Sequence, residues 1–184
     1  MREILHQKAG KKGVFSCGKR PGFTLLEVII VIAIIGILAV ATMPNILSAS
    51  HTRALESTAR LIQSNLQWAK LQAVKTKLNH RLFFEQLENE VWQMSIEREV
   101  TPDTWVLMPG FIKKSLSTSF NVSISLPDDM VVYSPLGLVE NFSGQENSVT
   151  LQSDRLKAES QPDIRQIQVY AGGAVQYLRS SSGT

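Results

Sequence analysis

A single carboxylate, Glu27, sits in a run from Phe23 to Met43 that holds no other ionisable side chain. A lone charge in an apolar medium is costly, so such a group reads as functional and needs a partner. The other residues capable of chemistry form no pattern. His6, His51 and His80 are scattered, and Cys17 is the sole cysteine of the sequence. The sequence has no CxxC pair, metal-ligand spacing, nucleophile elbow or phosphate-binding loop. Asp128 and Asp129 follow Pro127 and read as a turn rather than a catalytic pair. Lys113 and Lys114 read as a solvated loop. The chain is therefore not expected to be an enzyme, and neither a cofactor nor a metal is implied.

Glu27 needs an element to carry it. The 21 residues from Phe23 to Met43 are almost wholly apolar. At about 1.5 Å per residue, a helix of that length crosses a hydrocarbon core of roughly 30 Å. Before it, residues 1–22 hold six basic side chains and one acidic one, whereas the remainder holds 13 basic and 15 acidic. The formal charge of +3 therefore comes from the first segment, and the rest of the chain is not a general polyanion binder. Basic flanking residues favour a cytoplasmic N-terminal side, which places the rest across the membrane. An ordinary secretory signal is the competing reading, with Ala39-Val40-Ala41 as a small-residue cut site. Its apolar region is normally about 7–15 residues and carries no acid, unlike this one. Cysteine usage does not decide the compartment.

The stretch Gly22-Phe23-Thr24-Leu25-Leu26-Glu27, after a short basic leader, resembles the type IV prepilin processing motif. The resemblance covers residues 18–80. It implies that a prepilin peptidase cuts between Gly22 and Phe23 and that the new N-terminal Phe23 is methylated. It also implies that Glu27, then the fifth residue, takes part in filament assembly. Glu27 could pair with the new Phe23 amine of a neighbouring subunit or of its own chain, or could snorkel to the membrane interface. Gly36, Ala33, Ala39 and Ala41 suit close helix approach and equally suit plain anchoring. Pro44 stands where the family commonly has a helix-perturbing proline, and its missing donor predicts either a bend or the end of the first helix.

Past Pro44 the pattern is helical. Leu55, Ala59, Ile62, Leu66, Ala69 and Ala73 recur at spacings of three and four, and no proline or glycine falls between Ile46 and Leu78. Arg60, Ser64, Gln67, Lys70, Lys75 and Lys77 lie off that stripe. The period then becomes two. Residues 91–97 and 120–126 alternate apolar and polar, the pattern of half-buried strands in an antiparallel sheet. Further strands are predicted over 81–87, 104–108, 130–134, 148–152, 165–170 and 174–178. Residues 155–163 read as a polar loop and Ser180–Thr184 as a disordered tail.

The expected fold is α+β. A long N-terminal helix, transmembrane in its first half and amphipathic in its second, packs on an antiparallel β-rich head, as in the pilin fold. The expected organisation is a leader 1–22 that is removed, a transmembrane segment 23–43, an amphipathic half-helix 44–79 and a periplasmic head 80–184. Residues 54–74, "LPDDMVVYSPLG" and the C-terminal "IQVYAGGAVQYLR" resemble the GspH/FimT family of minor pilins and pseudopilins. That resemblance implies a minor pseudopilin of a type II secretion system, or alternatively a minor pilin of a type IV pilus that primes assembly or takes up DNA. It implies other pilin and pseudopilin subunits, the prepilin peptidase and an inner-membrane assembly platform as partners. The expected location is the inner membrane, single-pass with the N-terminus cytoplasmic, and then a periplasmic pseudopilus. DNA-binding members have arginines just after the C-terminal glycine turn. Here Ala174, Val175 and Gln176 follow Gly173, so nucleic acid is disfavoured as a partner. The last 25 residues hold no acidic ligand cluster, which disfavours calcium.

Overall fold

The computed structural model describes residues 22–182 apart from Asn89 and Glu146, and leaves out the side chains of 41–48. The basic leader and Cys17 lie outside the described residues. One helix, α1, runs from Leu25 to Thr76, and the chain divides into two units, Met1–Met43 and Pro44–Thr184. The helix continues through Pro44, which does not end it. The expected bend falls on residues whose side chains are not described.

In the first unit, the described apolar side chains of α1 are open to the surroundings. Phe23 is 83% exposed, Ile35 58% and Val40 75%. Among the described residues no helix is long and apolar enough to cross a membrane. Described side chains of this part of α1 stop at Val40, while the apolar sequence runs on to Met43.

The second unit holds the core. Leu55, Ala59, Ile62, Leu66, Ala69 and Ala73 are all fully buried, so the stripe read from spacing is the face that packs. Every buried core residue lies between Leu55 and Val169. The helix stops at Thr76 because Lys77 adopts φ +60°, a left-handed cap whose N–H donates to the Ala73 carbonyl.

Among the described residues nine strands follow: β1 His80–Gln86, β2 Trp92–Thr101, β3 Thr104–Leu107, β4 Lys114–Ser115, β5 Asn121–Ser125, β6 Met130–Tyr133, β7 Ser148–Gln152, β8 Ile164–Val169 and β9 Val175–Ser180. They form two antiparallel sheets, not the single one expected. One has the order β3-β2-β1-β6, with β4 also paired to β2, and the other has β5-β7-β8-β9. Period-two patterning reports which face is buried but not which strands pair. In β1 and β2 the inward set is Leu82, Phe84, Met94 and Ile96, each at most 1% exposed. In the second sheet Val149, Leu151, Ile167 and Val169 point inward.

Two expectations need correction. Residues 155–163 are not simply a loop: α2, Asp154–Ala158, forms there under a Ser153 N-cap whose hydroxyl accepts from the Leu156 N–H. Five residues with one apolar side chain, the buried Leu156, show no periodicity to read. The tail is ordered further than expected. Ser180 closes β9, and the Ser182 N–H donates to Asp163 Oδ1 at 2.8 Å.

Candidate functional site: the N-terminal segment of α1 and the head that follows it

Gly22, Phe23 and Thr24 lead into α1 without regular structure. Thr24 caps the helix. Its Oγ1 accepts from the Glu27 N–H at 3.2 Å, and its carbonyl accepts from the Val28 N–H. Thr24 and Glu27 have the spacing of a capping box, so both are placed by the start of the helix. Glu27 also falls in the first turn, where the helix dipole favours a negative charge. The Thr-x-x-Glu signal was in the sequence, hidden by attention to the charge alone. Nothing stands within 4 Å of where a Cβ on Gly22 or Gly36 would be, so the chain itself does not demand glycine at either position.

Gly22, Phe23 and Glu27 thus form one short exposed segment, while Pro44 lies 17 residues beyond Glu27. In the uncut chain Phe23 contributes a peptide nitrogen and not an amine. The ion pair expected for Glu27 would require a chain cut after Gly22.

The head has its own polar framework, which sequence reading missed. Lys70, placed off the buried stripe, donates to the carbonyls of Gly172 and Gly173, each at 3.1 Å. Gly173 has φ +70° and Gly137 φ +77°, values that favour glycine. A Cβ on Gly173 would strike the Gly137 carbonyl, and one on Gly137 would come within 3.0 Å of Lys70 Cε. Two glycine turns, one from each sheet, therefore close on one lysine of the helix. Lys70 brings a cation to the C-terminal turn that lacks arginines, but spends it on backbone carbonyls.

Near the first turns of the helix in this unit, Glu56 meets the fully buried Arg165 at 3.4 Å and Arg179 at 3.7 Å. Arg165 also donates to the Pro162 and Ile164 carbonyls, as a buried cation must. Burial pushes the Asp163 carboxyl up, yet hydrogen bonds from Ser182 and Gln152 outweigh it and hold the group below its ordinary value. Burial lowers the pKa of His80 against the bond to the Leu78 carbonyl, and nearby Arg98 lowers it further. Asp128 and Asp129, with φ of +51° and +52°, form the turn expected of them. Among the described residues no group of three or more His, Cys, Asp or Glu side chains is placed to hold a metal.

Residues 18–43 match the family model described as the prokaryotic N-terminal methylation motif. Type II secretion system protein H of Aeromonas hydrophila is 29% identical over 156 residues, covering 84% of this chain and 76% of that one. The structure is similar to that of the minor pseudopilin EpsH from the type 2 secretion system of Vibrio cholerae. The TM-score is 0.50 at 8% identity, over 70% of this chain and 98% of that one. At that identity the likeness speaks for the fold. With the N-terminal motif and the similarity to protein H beside it, the chain resembles type IV pilin-like proteins of the H-like kind.

Proposed function

We propose that this chain is a minor pseudopilin of a type II secretion system, a structural subunit that supports export of folded proteins across the outer membrane. The observation that carries the reading is the exposed apolar stretch from Phe23 to Val40 directly behind the Gly22-Phe23 motif. Such a surface needs lipid first and neighbouring helices afterwards. The similarity to protein H favours secretion over a pilus.

In this reading the leader stays in the cytoplasm and the prepilin peptidase cuts between Gly22 and Phe23, whose amine is then methylated. The apolar helix holds the chain in the inner membrane with its head in the periplasm. An assembly platform then moves it into the pseudopilus, where Glu27 pairs with a Phe23 amine and Pro44 lets the helix bend. The subunit is a substrate of the peptidase and not itself a catalyst.

The test is deletion of the gene in its host, with exported proteins assayed in the medium. Export is expected to fail, to return with the wild-type chain and not to return with Glu27→Ala. Normal export combined with lost pilus function or DNA uptake would contradict the proposal and favour the minor-pilin alternative.

A further inference from the structure

The outer face of the first sheet, turned away from α1, carries large apolar side chains where water-facing polar ones are usual. The register places Val132, Arg81, Glu97 and Leu107 in one cross-strand row, with Met130, Phe83 and Ser95 beside it and Glu99 with Trp105 on the other side. Arg81 is fully engaged within this face. Its guanidinium carbon lies 4.4 Å from the Trp105 ring centre and 5.1 Å from that of Phe83. Its nitrogens reach Glu97 at 2.6 and 2.8 Å and the Met130 sulfur at 3.5 Å. Arg81, Trp105 and Met130 floor a depression lined also by Asn79, Glu99, Asp103 and Glu140.

Those last three carboxylates meet no cation among the described residues. Glu99 and Glu140 accept from the neutral Asn79 amide at 2.9 and 3.1 Å, and Glu99 also accepts from the Asp103 N–H. Arg81 is consumed by Glu97. The face is thus an apolar, aromatic floor with an acidic rim, and Trp, Arg, Phe and Met are the residue types that concentrate binding energy at interfaces. Edge pairing is not its mode on the β6 side, because Asn141 already occupies the Val132 N–H and the Met130 carbonyl. A partner must come down on the face.

The same unit shows the complementary chemistry elsewhere. Arg60, Arg155 and Arg179 gather on the first turns of its helix, through the Tyr177 ring, His51 and Glu56 respectively, with Arg53 exposed on the same turns and Glu159 paired to Arg155. An acidic-rimmed apolar face and a basic patch built from different residues of one head are complementary halves for a head-to-tail contact between subunits.

We propose that the Trp105–Phe83–Met130 face is a docking surface for a neighbouring pilin-type head, which it takes through a basic patch. This rests on the pseudopilin reading. The test uses the full chain in cells that make the whole secretion system, with a photo-crosslinking residue at position 107 or, as reference, at position 32. Position 107 is expected to give an adduct with a pilin-type subunit, mapped by mass spectrometry to a basic surface. That adduct is expected to be lost with Glu140→Lys and reduced with Asp103→Asn, a change that suits the φ of +62° at that turn. Membrane extraction and head melting check that both variants fold.

The docking proposal is overturned by adducts from position 32 but none from 107. It is also overturned by adducts with a protein that is not a pilin-type subunit, or by adducts that survive both variants. Absence of any pilin-type adduct from either position overturns the pseudopilin reading itself.

Discussion

Two stretches of one helix differ in what they ask of their surroundings. From Leu25 to Val40 the helix is apolar all round but for Glu27, and its large apolar side chains stand 48–80% exposed. From Leu55 to Ala73 it is apolar on one stripe, and all six stripe residues are fully buried. A helix that is apolar all round finds its solvent outside its own chain, whereas an amphipathic one finds it in the chain that follows. The first stretch offers the surface that the proposed membrane and filament stages would cover. The second explains how a head of small sheets gains a common core.

The sharpest way to break this contrast is to make the same change in both stretches. Leu66→Ala should destabilise the head by about 2–5 kcal/mol, because the site cannot collapse around the lost methyls. Ile35→Ala should leave head stability within about 0.5 kcal/mol of the original. Denaturant unfolding of the full chain in detergent, followed by the tryptophans of the head, reads both. Equal losses would show that the first stretch has a core of its own.

Next in size is the pair of glycine turns. Gly173→Ala should cost about 1–3 kcal/mol, since it adds strain at φ +70° and drives a methyl into the Gly137 carbonyl. Lys70→Met keeps the aliphatic stem and removes the two carbonyl bonds, for a smaller loss of about 1 kcal/mol. The same unfolding curves rank them. A neutral Gly173→Ala would mean that the turns do not clamp the helix.

The smallest effect concerns pH. Burial holds His80 below the ordinary histidine value of 6.5, so the folded head binds a proton less readily than the unfolded chain. Stability should therefore be full above that value and fall as pH drops through and below it. Melting temperatures between pH 7.5 and 5 should show the decline, and His80→Gln should flatten it. An unchanged slope would place the pH sensitivity elsewhere.

Much of the fold was legible because burial leaves a period. The spacing of Leu55 through Ala73 named the packed face of α1, and alternation in "VWQMSIE" and "FNVSISL" named inward sets that the structure buries or half-buries. Pairing left no such trace. That β6 joins β1 while β5 joins β7 depends on loops whose turn residues say where the chain reverses, not where it goes. β4 and α2 were too short to show a period at all. At the N-terminal segment the peptidase motif was legible whole, yet Thr24 went unread as the cap. Lys70, Gly137 and Gly173 are far apart in sequence and meet only in space. Only the fold places Arg81 over the rings of Phe83 and Trp105.

The most direct measurement is the mass of the chain's N-terminal peptide after production with a prepilin peptidase and extraction from the membrane. The account predicts a chain beginning at Phe23 with one added methyl group on its amine, and uncut precursor for Gly22→Ala. A chain that still begins at Met1, or that begins after Ala41 as a secreted protein would, contradicts it.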